Sequence, residues 1–195
     1  KKINISKIFN IMSEIKKIGL IKNFGISVRS PLDFSKIKHL KFDCIECNLN
    51  LLDQRALDIN LVKECKKRNI ITICRTPLVF GFLSQKNISK KNFSNLDHRK
   101  YYPKKQLLTW ENSKKLFIKD SFYKKFKNFT QFALNFGFSN GFNYIIPGML
   151  NKREIEENII TSKMSIINKK NLKKIYKFYL KNEKYFWRTK KPRKV

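Results

Sequence analysis

The sequence predicts an α/β fold built on a parallel sheet. Four short apolar stretches of strand length alternate with helical patterns, in the order helix, then strand–helix four times. The stretch 69–75 is β-branched and continuous, which is typical of a buried parallel strand. Parallel strands need crossover connections, and the intervening helices supply them. Ligand-binding side chains are therefore expected where the strands end, at 27–28, 46–50, 75–78 and 147–150.

The first half of the chain holds a helix and three strands. An apolar stripe at helical spacing predicts a helix over 3–17, which Gly19 ends. A strand follows at 22–27, and Ser30-Pro31 supplies the N-cap and first position of a helix. The remaining elements are a second strand at 42–49, a helix from Asp53 to Arg68 that Asn69 ends, and the third strand at 69–75.

The second half begins with a predicted loop from Thr76 to Lys104. Helices are predicted over 105–118 and 121–138, the latter with Phe122, Phe126, Phe129 and Ala133 on one face. A last amphipathic helix is predicted over 169–182.

Between those helices, the segment 143–158 predicts a fourth strand and its helix. Residues 144–146 read as a buried strand, Pro147-Gly148 as its end, and Asn151 as an N-cap with Glu154 at capping-box spacing. Gly148 leaves room for a bound group, and the helix start suits an anion such as phosphate. An ordinary strand-to-helix joint would show the same pattern.

Composition indicates one globular domain with an unusual charge. The chain has 195 residues, 42% of them hydrophobic, and a formal net charge of +30. Such a charge attracts nucleic acid or anionic lipid. However, the basic residues are spread along the chain, and Lys, Asn, Ile and Phe are enriched together, as an A/T-rich genome would produce. We therefore expect no nucleic-acid partner, and no apolar run is long enough to span a membrane.

The cysteines and histidines do not predict a metal site. Cys44 and Cys47 have the spacing of half a zinc site, but in a strand residues three apart face opposite sides. There is no second pair, so we expect reduced thiols in a cytoplasmic protein. His39 and His98 are expected to be surface residues.

Five segments in one register resemble the aldo/keto reductase family, in its bacterial-type branch. They are GLIKNFGIS, FDCIECNLNLLDQRA, NIITICRTPLVFGFLSQK, the DHR at 97–99, and YIIPGMLNKREIEEN. The resemblance implies a (β/α)₈ TIM-type barrel that reduces a carbonyl substrate with NADPH (NADP), or NAD(H), without a metal. It covers the second half of that barrel, about four βα units plus the C-terminal helix. Residues 1–184 would form this half, and 185–195 a basic tail.

The resemblance also assigns cofactor contacts. Ser27 and Glu46 would lie at the nicotinamide carboxamide, and Arg75 against the nicotinamide ring. Thr76, Leu78 and Gly81 would line the pyrophosphate loop. Gly148, Met149 and Leu150 would border the adenosine phosphate, and Glu157 and Asn158 would reach the adenine. Without the family, Glu157 and Asn158 read as a solvated helix face, and Lys86 as a surface lysine.

Several positions depart from the family. Glu46 replaces the usual Gln, and Val28 the usual Asn. Leu150 stands where relatives often carry an Arg for the 2′-phosphate, and Glu154 where others carry Arg or Gln, so the preference for NADPH over NADH stays open. The Glu154 carboxylate has a second interpretation, as part of the capping box.

The family's catalytic Tyr, Lys, Asp and His belong to the half of the barrel that this chain does not match, so no catalytic residue is assigned. Four strands of an eight-stranded barrel leave two open edges and an exposed apolar inner face. We expect the chain to be part of a longer reductase, or to self-associate. Two alternatives stay open: a catalytically inactive half-barrel remnant, and a basic nucleic-acid-binding protein.

Overall fold

The computed structural model describes residues 4–84, 93–120, 122–182 and 185–186, and its centre is a four-stranded parallel sheet. The strands lie side by side in chain order: β1 (Gly25–Ser27), β2 (Cys44–Asn48), β3 (Ile71–Arg75) and β4 (Tyr144–Ile146). The predicted α/β class is confirmed. Because all four strands run in the same direction, their carboxyl ends meet at one edge of the sheet.

Helices precede, connect and follow the strands. They are α1 (Ile5–Lys17), α2 (Phe34–Ile37), α3 (Arg55–Asp58), α4 (Leu61–Lys67), α5 (Lys104–Lys119), α6 (Phe129–Ser139), α7 (Lys152–Ser162) and α8 (Lys169–Asn182). Two 3₁₀ turns precede α2 and α5, at Pro31–Asp33 and His98–Tyr101.

The two faces of the sheet differ in burial. Ile45, Cys47 and Cys74 are fully buried on the face that packs against helices. The packing is close, since a Cβ added at Gly137 of α6 would lie 2.5 Å from Cδ1 of Ile145. The opposite face, which we call the inner face, carries the alternate residues of each strand. Its side chains are partly or fully exposed to solvent.

The predicted burial of β4 is wrong. Tyr144 is 59% exposed and Ile146 is 45% exposed, because both point to the inner face of an edge strand. Ile145, between them, packs against the core.

Two predicted helices also differ from the structure. The helix predicted from Asp53 to Arg68 is broken into α3 and α4, because Asn60 adopts a left-handed conformation at φ 51°. The helix predicted over 121–138 begins only at Phe129. The Asn128 side chain accepts a hydrogen bond from the backbone N–H of Gln131 and so caps the helix at that point.

Other end signals are confirmed. Ser30 caps the turn that Pro31 begins, and Asn151 caps α7. Gly19 and Asn69 have positive φ just after α1 and α4. Lys86 and the tail residues 187–195 lie outside the described residues, so the expectations for them, and the division at 184/185, stay predictions.

Apolar side chains are exposed at both flanks of the sheet. On α1, which precedes edge strand β1, Phe9 is buried but Ile8 and Ile11 are 45% and 50% exposed. On α7, which follows edge strand β4, Ile159 and Ile160 are 49% and 55% exposed. Both flanking helices therefore present apolar side chains to solvent, although α1 also buries Phe9.

Within the described residues, no helix combines the length and the apolar character needed to cross a bilayer.

Candidate functional site

Three of the predicted side chains meet on the inner face. Ser27 Oγ donates a hydrogen bond to Glu46 Oε1 over 2.8 Å. Arg75 Nε lies 3.3 Å from the same oxygen, and Arg75 Nη2 donates to the backbone oxygen of Val28 over 3.0 Å. The parallel register produces this cluster. Ser27 pairs with Glu46, and Glu46 pairs with Ile73, which lies two residues before Arg75 on the same strand. Hydroxyl, carboxylate and guanidinium groups thus share one polar surface.

Thr76, directly after β3, is held in a strained conformation. Its φ is 51°, a region that β-branched residues rarely adopt. Two asparagines fix it: Thr76 Oγ1 donates to Asn48 Oδ1 over 2.9 Å, and Asn50 Nδ2 donates to the Thr76 carbonyl over 3.1 Å. Backbone strain of this kind clusters at ligand sites, which favours Thr76 as a binding position.

The loop after Thr76 turns tightly over the edge of the sheet. Val79 and Phe80 also have positive φ, and Gly81 has φ 92°. The Leu78 carbonyl accepts hydrogen bonds from the N–H groups of Gly81 and Leu83. Arg99 holds the loop from outside, because its Nη1 donates to the Phe80 carbonyl while its guanidinium pairs with Asp97 at 2.6 Å. The DHR segment therefore supports the predicted pyrophosphate loop.

A cavity of about 490 Å³ opens beside this cluster. Arg75 and Thr76 line it together with the segments that follow β1 and β2. Its aromatic wall is built from Phe80, Tyr102 and Trp110, whose ring centroids lie 5.1–5.5 Å apart. This wall was not predicted, because its members come from separate parts of a long loop and the helix after it.

A buried ion pair supports the floor of the cavity. Arg55 donates from Nε and Nη2 to the two carboxylate oxygens of Asp53, at 2.7 and 2.6 Å, and from Nη1 to Ser30 Oγ at 3.3 Å. The side chains of Asp53 and Arg55 are only 4% and 5% exposed. The hydrogen bonds that Arg55 donates to the Asp53 carboxylate raise the Arg55 pKa further above its ordinary value. This network ties the segment after β1 to the segment after β2.

The second group of predicted residues surrounds the start of α7. Gly148 has no protein atom within 4 Å of the position a Cβ would occupy, so the fold itself does not require glycine there. Met149 and Leu150 are 50% and 89% exposed. Glu154 Oε2 accepts a hydrogen bond from the Leu150 N–H over 2.7 Å, while Asn151 Oδ1 accepts from the Glu154 N–H. Glu154 therefore takes part in capping α7. Its carboxylate accepts from the N–H of Leu150, the residue before the N-cap, and not from the N–H of Asn151 itself.

Two predicted residues lie along α7. Glu157 Oε1 accepts a hydrogen bond from Asn128 Nδ2, which joins α7 to the start of α6. Asn158 Nδ2 is buried and has no hydrogen-bond partner among the described residues. Both are partly buried, so the interpretation as a solvated helix face is wrong. They are separate from the Ser27–Glu46–Arg75 cluster, although the pairing of Arg75 with Ile146 places Gly148 at the same edge of the sheet.

The four cysteines are free thiols, and Cys47, Cys65 and Cys74 are buried. Burial raises the pKa of the Cys65 thiol to about 11 and that of Cys74 to about 12, so they are poor nucleophiles. The described ranges contain no group of three or more His, Cys, Asp or Glu side chains that could hold a metal ion. His39 and His98 are exposed, as expected, and His98 packs edge-on against Phe80.

The sequence profile of the aldo/keto reductase family matches residues 1–179. The chain belongs to the aldo/keto reductase family. A comparison with curated proteins finds no match.

Solved structures of aldo-keto reductases share the fold. A glycerol dehydrogenase from Gluconobacter oxydans superposes with a TM-score of 0.72 at 18% identity, over 93% of this chain and 56% of that one. The holo form of an aldo-keto reductase from Bacillus halodurans gives 0.65 at 16% identity, over 90% and 56%. An aldo-keto reductase complexed with NADPH gives 0.59 at 18% identity, over 91% and 48%. The chain thus spans about half the length of these proteins, and its sheet corresponds to part of a TIM-type barrel.

The ion pair of Asp53 and Arg55 provides a prediction about stability. Replacing Asp53 with Asn should reduce the free energy of unfolding by about 3–5 kcal/mol, because Arg55 is left as an uncompensated buried charge. The matched control is Asp33→Asn, which removes a mostly exposed pair with Lys36 and should cost about 0–1 kcal/mol. Urea unfolding of both variants measures the difference. Equal, small losses would show that the buried pair does not support these segments.

Proposed function

We propose that this chain is the cofactor-binding half of an NAD(P)H-dependent reductase of aldehydes or ketones. The observation that carries the proposal is the Ser27–Glu46–Arg75 cluster at the carboxyl edge of the sheet, in a chain that belongs to the aldo/keto reductase family. The complex of a structural relative with NADPH supports the choice of cofactor.

The residues present fit a dinucleotide. Gly148 leaves open space beside the capped start of α7. Asn158 has a buried amide N–H₂ group without a partner among the described residues, so a ligand acceptor would satisfy it. Thr76 is fixed in a strained conformation at the same edge. These three observations come from different elements, and all agree with the contacts that the resemblance assigns.

Each group of residues has a role in this proposal. Ser27 and Glu46 hold the carboxamide, and Arg75 lies against the nicotinamide ring. The turn at Thr76, Leu78 and Gly81 follows the pyrophosphate. The segment Gly148, Met149 and Leu150, with Glu157 and Asn158 beyond it, borders the adenosine moiety. When bound, the reduced cofactor supplies the hydride that a carbonyl carbon accepts.

The proton for the carbonyl oxygen has no assigned donor in this chain. We propose that four further βα units, on this polypeptide or another, supply the family's Tyr and complete the barrel. The exposed apolar side chains of α1, α7 and the inner face support this, because further strands and helices would cover them.

Finer assignments belong to the same proposal. Arg75 and the ion pair of Asp97 with Arg99 support the assignment of this chain as the C-terminal half of a bacterial-type family member. Free, buried thiols support a cytoplasmic location. The Glu154 carboxylate accepts a hydrogen bond from the Leu150 N–H, so it has a structural role besides any effect on a 2′-phosphate. A titration that compares NADPH with NADH would establish the cofactor preference.

The open edges lead to a prediction about assembly. At tens of micromolar, the 195-residue chain alone should self-associate, because edge strands and apolar stripes are uncovered. The double variant Ile8→Glu/Ile11→Glu should shift the chain toward monomer in sedimentation velocity. Leu96→Glu is the control, since Leu96 is 97% exposed but lies in a loop. A monomeric wild-type chain would contradict the proposed uncovered interface.

Cofactor binding provides a second prediction. NADPH or NADH should bind the chain, and Gly148→Ala should weaken the tighter of the two about tenfold, equivalent to ~1.4 kcal/mol. The urea unfolding midpoint of the Gly148→Ala variant should be unchanged, because a Cβ at position 148 meets no protein atom within 4 Å. Ser162→Ala, at the far end of α7, should change neither quantity. Isothermal titration calorimetry measures the affinity, and a wild-type chain that binds neither dinucleotide would overturn the proposed function.

A further inference from the structure

The Ser27–Glu46–Arg75 cluster contains two opposite charges side by side. Glu46 Oε1 accepts the hydrogen bond from Ser27 and lies 3.3 Å from Arg75 Nε. Glu46 Oε2 accepts no hydrogen bond from the described residues, and Arg75 Nε is buried without one. The side chains of Arg75 and Glu46 are 34% and 28% exposed, so they are partly shielded from solvent. The pair therefore keeps one carboxylate oxygen, Glu46 Oε2, without a hydrogen bond from these residues, beside the Arg75 guanidinium.

The acid at position 46 changes what the cluster offers to a ligand. Where the family usually has Gln, an amide would present a donor and an acceptor without net charge. Here the carboxylate presents only acceptors and brings a negative charge that Arg75 balances. A bound carboxamide can donate its N–H to Oε2 of Glu46. The remaining electrostatic effect depends on the charge of the ring to which the carboxamide is attached.

We propose that Glu46 and Arg75 act in opposite directions on the affinity of this protein for the oxidised nicotinamide cofactor, so that each residue cancels the effect of the other on the preference between the oxidised and reduced forms. The inference rests on the proposed function and deepens it. The oxidised nicotinamide ring carries one positive charge, and the reduced ring carries none. Glu46 attracts the oxidised form and Arg75 repels it, whereas neither acts by charge on the reduced ring. The wild-type pair balances the two effects, and removal of either partner leaves the other charge unopposed.

The test measures the dissociation constants of the oxidised and reduced cofactor for the same protein. Wild type, Glu46→Gln, Arg75→Gln and the double variant are titrated by calorimetry at low ionic strength, with the dinucleotide pair that wild type binds more tightly. Glu46→Gln should raise the ratio of oxidised to reduced dissociation constant about tenfold, on the scale of one partly shielded charge. Arg75→Gln should lower the ratio, and the double variant should return it to near the wild-type value.

Two controls separate charge from damage to the fold. Lys17→Gln removes one positive charge from the last turn of α1, which precedes β1 and so lies toward the amino-terminal edge of the sheet. It should leave the ratio unchanged. Urea unfolding midpoints of all variants report stability, and a purely structural defect would weaken both redox forms equally.

The outcomes are distinguishable. An unchanged ratio of oxidised to reduced dissociation constant in Glu46→Gln would overturn the inference, and so would shifts of the same sign in both single variants. In either case, binding of the cofactor by wild type would still uphold the proposed function. Failure of the wild-type chain to bind either dinucleotide would overturn both.

Discussion

The parallel pairing of β2 with β3 is the constraint on which the site depends. In this register Glu46 lies beside Ile73, and Asn48 beside Arg75. A slip of one residue in β2 would turn Glu46 and Asn48 toward the helices and bring the buried Cys47 to the inner face. Packing of Ile45, Cys47 and Cys74 against the helices therefore fixes where the charged side chains point. The polar cluster is a consequence of the apolar core behind it.

The segments beyond the strands are held by a second set of interactions. Asn48 and Asn50 restrain Thr76, and Arg99 restrains Phe80 from the other side. The buried pair of Asp53 and Arg55 joins the segments after β1 and β2. Strained backbone at Thr76, Val79 and Phe80 persists only where surrounding contacts determine it. The carboxyl edge is consequently a preorganised surface rather than a set of independent loops.

Sequence patterns predicted which helices and strands exist better than the residues at which they begin and end. All four strands and the caps at Ser30 and Asn151 were predicted, because they depend on short-range signals. The start of α6 was missed although Asn128 and Gln131 carry a capping signal, since a row of phenylalanines at helical spacing suggested an earlier start. The exposure of Tyr144 was missed because burial depends on which strand becomes an edge. That property belongs to the whole sheet and not to the segment.

The site was predictable in part. Ser27, Glu46 and Arg75 were named from a resemblance to a family, and their mutual contacts then followed from the register. The aromatic wall of the cavity could not be predicted, because Phe80 and Trp110 are thirty residues apart and meet only through the path of a long loop. The partners of Thr76 also required the structure. They are side chains of a neighbouring strand end, and only the sheet places them beside it.

Hydrogen–deuterium exchange with and without NADPH would test the central claim most directly. If this chain is a cofactor-binding half, NADPH slows exchange at the backbone N–H groups of 78–83 and 148–152, in the two segments that border the carboxyl edge of the sheet. The lysine-rich α8 then serves as an internal reference, because it carries six lysines and no acidic residue. Protection confined to α8, or no protection at the edge of the sheet at saturating NADPH, would show that the +30 chain binds anions by charge alone and would contradict the account.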